Sequence, residues 1–163
     1  MIRIVKFSAS IVILLLPVIV WASCTTEETG LLDNNVSDSV TQTSELMKDT
    51  IAIIIGDSYF TAILESNAAV TEFKKMLPLT ISMKDLNSNE KYIDLSKSLP
   101  TNASNLGKIN AGDLLLYGSK TVVLFYEAFS TSYSYTRLGK INNPGGLEEA
   151  LGSNNVIVTI ELK

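Results

Sequence analysis

From Ile51 to the C-terminus, the apolar residues of this chain recur mostly at every second position. A period of two sends successive side chains to opposite faces of an extended strand, so it specifies half-buried β-structure and leaves few other folds open. Residues 51–55 are a β-branched run stopped by Gly56-Asp57, a hairpin signal, and residues 59–64 continue as the return strand. Residues 79–84 alternate strictly, placing Leu79, Ile81 and Met83 on one core face. Residues 91–95, 114–117, 121–126, 135–141 and 156–162 supply the other strands, and Val156, Val158, Ile160 and Leu162 share a face in the last.

Two segments break this period. Ala69, Val70, Phe73, Met76 and Leu77 fall at helical spacing, which predicts a helix over 68–77, capped by Ser66 or Asn67. Pro78 ends it, because proline disfavours helical geometry in the residue before it. Asn143-Pro144-Gly145-Gly146 precedes a second short helix over 147–151, closed by Gly152. The expected fold is mainly β, with about eight strands and two short helices. Eight strands close into a barrel whose interior side chains just fill it, and closure removes exposed edges. A β-sandwich uses similar strands, but two helices fit better as plugs over barrel ends. Residues 96–107 read as a polar loop, long for a compact domain, hence a functional rim or a mobile segment.

The N-terminus is organised differently. Arg3 and Lys6 precede an apolar run over 11–20 that is interrupted by Pro17. It is short of the ~20 apolar residues that span a bilayer and has the parts of a secretory signal. Ala22-Ser23-Cys24 resembles the end of a bacterial lipobox, with Trp21 where an aliphatic residue is usual. The resemblance implies that Cys24 becomes a lipid-modified first residue of the mature chain. The plainer reading is an ordinary cleaved signal with an incidental cysteine. Two or more acyl chains, at about 0.8 kcal/mol per buried methylene, anchor a protein stably. Thr25 stands where an Asp often retains lipoproteins at an inner membrane, so the outer membrane is implied where a cell has two. The expected location is thus the bacterial cell envelope, with membrane lipid the partner of Cys24.

Residues 25–47 are rich in Thr, Ser, Asn and Asp and hold five acids and no base. That composition favours a flexible tether, about 27 Å in root-mean-square span. Leu31-Leu32 is a weak docking spot within it at most. The expected division is a signal over 1–23, a lipidated Cys and acidic tether over 24–47, and the barrel over 48–163.

Several function classes are excluded early. The net charge is −4, and a nucleic-acid binder needs a basic surface. With no His, the Ser-His-Asp and Cys-His arrangements are unavailable. One Cys allows neither an internal disulfide nor a multi-Cys zinc site. No Gly-rich phosphate loop or metal-ligand cluster stands out, so no cofactor is expected. Of the 17 acids and 13 bases, five and two precede residue 48, which leaves the barrel segment nearly neutral with twelve and eleven.

The C-terminal half resembles a cyclophilin. Ala111-Gly112-Asp113 makes a turn, a strand ends Leu124-Phe125-Tyr126, a loop leads to Leu138-Gly139-Lys140-Ile141, and a Gly-Gly-Leu turn-helix and a closing strand follow. With Leu77-Pro78, Asn89-Glu90-Lys91-Tyr92 and Gly112-Asp113, residues 48–163 more closely resemble the bacterial cyclophilin-like barrel family of uncharacterised function. This implies an eight-stranded closed β-barrel with two short capping helices.

Cyclophilins are proline isomerases whose arginine hydrogen-bonds near the imide nitrogen, weakening the resonance behind a barrier of ~18–20 kcal/mol. Residues 79–95, where that arginine belongs, contain none. Val123 stands near the position of the family's Gln, Phe125 at a pocket aromatic, and Tyr135 at the position of its His.

Phe125, Tyr126, Phe129, Tyr133 and Tyr135 cluster around Ser130-Thr131-Ser132 and are candidates to line a groove for an extended or proline-containing peptide. Ordinary core and loop packing competes with that reading and is favoured. Arg137 is either a fork for a ligand carboxylate or, preferably, an outward residue paired with an acid. Glu90 is either a buried pocket acid or a solvated turn charge. Asp113 is expected to fix a turn, and Lys74-Lys75 to be the wet face of the first helix. The candidate ligand-binding set is therefore Phe125, Tyr126, Tyr133, Tyr135, Arg137 and Glu90, with Cys24 for lipidation and no catalytic residue.

The leading expectation is a membrane-anchored lipoprotein with a non-catalytic cyclophilin-like domain that binds a peptide or protein. The alternatives are a divergent peptidyl-prolyl isomerase of the envelope and a passive docking component.

Overall fold

The computed structural model describes residues 49–163, so the signal, Cys24 and the tether expected over 1–47 lie outside the described residues. The elements run β1 (Thr50–Ile55), β2 (Ser58–Leu64), α1 (Ala68–Lys74), β3 (Leu79–Leu86), β4 (Glu90–Asp94), β5 (Ser104–Asn105) and β6 (Lys108–Ile109). Then come β7 (Asp113–Tyr117), β8 (Thr121–Phe125), β9 (Phe129–Ser130), β10 (Ser134–Ile141), α2 (Leu147–Leu151) and β11 (Val156–Leu162).

Eight strands close on themselves in the order β2-β1-β11-β3-β4-β8-β7-β10, with β10 returning to β2. Every pairing is antiparallel. The expected closed barrel is what forms, and the sandwich is excluded. Closure has a local cause at Gly139, opposite Leu64. A Cβ there meets the Ile63 carbonyl oxygen at 2.5 Å, so only glycine lets the two backbones approach this closely. The ladder between β10 and β7 slips between Arg137 and Gly139, leaving Leu138 as the extra residue of a bulge that bends β10 toward β2.

The β1 hairpin pairs Ile53 with Phe60 on one side, and Ile53 with Ile160 of β11 on the other. Asn67 caps α1 by accepting the Val70 N–H at 3.0 Å, and its amide nitrogen donates to the Arg137 carbonyl at 2.8 Å. That second bond ties the helix to β10. α1 is shorter than the sequence predicts: beyond Lys74, the Met76 and Leu77 N–H groups bond to Phe73 and Lys74, three residues back. Pro78 forbids a further helical turn, and the chain tightens instead.

The helices sit where plugs are expected. Ala69, Val70 and Phe73 of α1 and Leu147 and Leu151 of α2 join the interior cluster with Ile53, Leu114, Leu124 and Val158. The loop over 96–107 is anchored rather than loose: Leu99 is buried, its N–H bonds to Ser119, and the Asn102 N–H reaches Thr136 Oγ1. β5 adds to the end of β10, while β6 and β9 form a small separate ribbon.

Alternation gives β7 and β8 two buried faces. Leu114, Leu116, Val122 and Leu124 point into the barrel. Leu115, Val123 and Phe125 point outward into a second cluster with Ile109 and Tyr135. β4 follows the same rule, with Lys91 and Ile93 inward and Tyr92 packing on the outer cluster.

Candidate functional site

The outer cluster is the floor of an open cavity of about 470 Å³. Strand register builds it. Glu90, Tyr92 and Asp94 of β4 lie opposite Phe125, Val123 and Thr121 of β8, and Tyr117 of β7 lies opposite Thr121. Outward side chains from neighbouring strands are thereby stacked in rows across the barrel wall. Tyr135 and Phe129 close one side, Tyr133 stands at the rim, and Leu86, Asn87 and Asn89 of the β3–β4 turn close the other. That turn holds Asn87 and Ser88 at φ +54° and +55°, which returns the chain so that Glu90 pairs with Leu86.

The rings brace one another. Tyr117 meets Tyr133 edge-on at 6.0 Å between centroids and Tyr135 at 5.6 Å. Phe125 meets Tyr135 edge-on at 5.8 Å and Phe129 at 5.5 Å. Phe125 is fully buried and supports these two rings from behind without lining the cavity. Tyr133 and Tyr117 are 61% and 46% exposed, so the apolar rim faces solvent.

The cavity is acidic. Glu90 is only 9% exposed, and among the described residues its carboxyl has no hydrogen-bond or ion-pair partner. Burial raises its pKa above the usual glutamate value, and the Asp85 charge raises it further. Burial also raises the Tyr135 hydroxyl, with Glu90 and Tyr117 adding to the effect. Asn89 Oδ1 is buried without a hydrogen-bond partner, and Asp94 accepts a 2.5 Å bond from the Thr121 hydroxyl. Among the described residues, no lysine or arginine lines the cavity. Among the described residues, no group of three or more His, Cys, Asp or Glu side chains is placed to hold a metal ion.

Of the residues singled out in the sequence, Glu90, Phe129, Tyr133 and Tyr135 come together at the cavity and Phe125 lies beneath it. Tyr126 does not join them. It follows the last residue of β8 and turns inward, where its hydroxyl donates to Asp85 Oδ1 at 2.7 Å. Arg137 is exposed on β10 and does not line the cavity, and among the described residues no acid pairs with it. Glu90 is the pocket acid of the two readings. Asp113 fixes its turn by accepting the Asn110 N–H at 2.9 Å, beside Gly112 at φ +86°. Tyr92, Tyr117 and Asn89 are lining residues that sequence reasoning passed over. Tyr92 and Tyr117 carry a usable signal, since each shares a strand face with Glu90 or Leu115 two residues away.

Residues 53–161 match the cyclophilin-like family. The chain belongs to the cyclophilin-like family. Among solved structures, the solution structure of the hypothetical protein AF2241 from Archaeoglobus fulgidus is similar, with 16% identity and a TM-score of 0.49. The likeness covers 72% of this chain and 96% of that one. No curated protein matches the chain. In this cyclophilin-like barrel the cavity lies on the outer wall, over β4, β8, β7 and β10, while the interior is filled by side chains.

Proposed function

We propose that the protein is an envelope lipoprotein whose cyclophilin-like barrel binds an extended peptide segment, without catalysing a reaction on it. The observation that carries this reading is the aromatic cavity on the outer wall, with Tyr117, Tyr133 and Tyr135 braced by Phe125 and Phe129. Rigid aromatic faces hold extended and proline-containing segments at small entropic cost, because such segments are already ordered before they bind. Solvent-facing rings at the rim also leave the cavity open to a chain running across it.

The non-catalytic part rests on the cavity's polar groups. Among the described residues, its lining offers one unpartnered carboxyl and a buried amide oxygen, with no guanidinium to hydrogen-bond an imide nitrogen. The anchoring part rests on Ala22-Ser23-Cys24 behind a signal-like segment.

The test is binding of a short proline-containing peptide to the full chain in mild detergent, together with its cis/trans exchange followed by NMR. Saturable binding without accelerated exchange, weakened by Tyr135→Ala, is the expected result. Accelerated exchange that disappears in Tyr135→Ala makes the protein an isomerase instead. For the anchor, palmitate labelling is expected in the wild-type chain and not in Cys24→Ser; labelling that persists in the variant defeats it.

A further inference from the structure

We propose that the cavity selects peptides by a basic side chain, with the ammonium or guanidinium group held at the Glu90 carboxylate inside the ring of tyrosines. This rests on the peptide-binding reading above and names which residue of the peptide is recognised.

Three features of the cavity agree. First, Glu90 is a nine-tenths buried acid that lines the cavity and has no protein partner among the described residues. A carboxylate on a largely buried residue without a partner is stabilised by a ligand cation. Second, the neighbouring walls are aromatic. Tyr92, Tyr117, Tyr133 and Tyr135 present π-faces and edges around the opening, and cations within ~6 Å of a ring centroid are attracted by its quadrupole. Third, among the described residues the lining contains two acids, Glu90 and Asp94, and no base, so its potential favours a positive ligand. Val123 and Leu86 add apolar surface suited to the methylenes of a lysine or arginine shank.

The sign of the Glu90 environment is consistent with this. In the free protein, burial favours the protonated acid. A bound cation favours the carboxylate, so binding a basic side chain is accompanied by proton release where Glu90 is partly protonated.

The experiment compares three peptides, acetyl-Ala-Xaa-Pro-Ala-amide with lysine, norleucine or glutamate at Xaa, titrated calorimetrically into the full chain in mild detergent. The lysine peptide is expected to bind about tenfold or more tightly than the norleucine peptide, and the glutamate peptide more weakly than both. In Glu90→Gln the lysine preference is expected to vanish, while norleucine binding is kept or improved. A purely structural role for Glu90 lowers all three affinities together and overturns the proposal. Equal binding of lysine and norleucine peptides by the wild-type chain also overturns it, but leaves the peptide-binding function standing. Binding of none of the three defeats both. The wild-type comparison needs no variant, so it decides the matter even if Glu90→Gln does not fold.

Discussion

Lys91 Nζ lies 2.7 Å from Asp85 Oδ1, and the lysine is completely buried while the aspartate keeps an exposed edge. The same ammonium donates to the carbonyls of Gly152 at 2.6 Å and Asn154 at 2.9 Å, so its three protons are all used. The Tyr126 ring stands 5.6 Å from the nitrogen, and its hydroxyl donates to Asp85. One side chain of β4 thereby joins the β3–β4 hairpin to the turn that follows α2.

Replacing Lys91 by Met removes the buried ammonium from both carbonyls and from the Asp85 carboxylate. The expected loss is on the order of 2 kcal/mol for the unmade hydrogen bonds, seen as a lower urea midpoint. An unchanged midpoint shows that water satisfies those carbonyls.

Asp85 sets an acid limit on this linkage. The Lys91 hydrogen bond, followed by that of Tyr126, lowers its pKa below the usual aspartate value. A lowered carboxyl contributes stability that is present above the unfolded pKa, near 3.8, and is lost as pH falls through the folded one. Melting temperatures measured below pH 4 should therefore fall more steeply in the wild-type chain than in Asp85→Asn.

Glu90 carries the opposite sign. Because its pKa is raised, chiefly by burial, its contribution is fully present below the ordinary glutamate pKa and is lost as pH rises through the folded value. Glu90→Gln lacks that decline, so its urea midpoint at pH 7 is expected to exceed that of the wild type. At pH 4 the two should converge, and a gap of the same size at both values counts against a buried unpaired carboxyl.

Gly139→Ala tests barrel closure. The new methyl group meets backbone rather than a movable side chain, so β2 and β10 must separate locally. A loss of about 1–3 kcal/mol is expected from such overpacking. Hydrogen exchange should show faster opening at the N–H groups of Glu65 and Asn142, which bond across this seam to the carbonyls of Leu138 and Thr61, before the rest of the sheet.

Ser88 holds φ +55° without being glycine. Ser88→Gly relieves a left-handed backbone cost of about 1 kcal/mol and should raise the urea midpoint, because glycine adopts this region freely. A decrease instead points to a contact made by the serine hydroxyl.

Much of the architecture was legible because it depends on local patterns. Period-two alternation and short apolar or β-branched runs located the eight barrel strands, and the Gly112-Asp113 and Gly139 signatures fell where a positive φ and a close backbone approach require them. The three two-residue strands β5, β6 and β9 were not foreseen, since two residues carry no period. The cavity was half legible. Tyr133, Tyr135 and Glu90 stood out as residue types, but Tyr126 was grouped with them on proximity in sequence and Arg137 as a fork for a ligand carboxylate.

By itself, then, the amino-acid order determined which segments are strands and which two are helices, because those follow from side-chain period and backbone sterics within a few residues, whereas closure was decided by the long-range pairing of β2 with β10. Which face each strand shows to which neighbour was decided only by register. Glu90 lies 35 residues from Phe125 in the chain yet opposite it across β4 and β8, and Tyr126, one residue further, falls inside the barrel instead. A one-residue step reverses a strand's face, so the cavity and its buried acid exist only once the strands are paired.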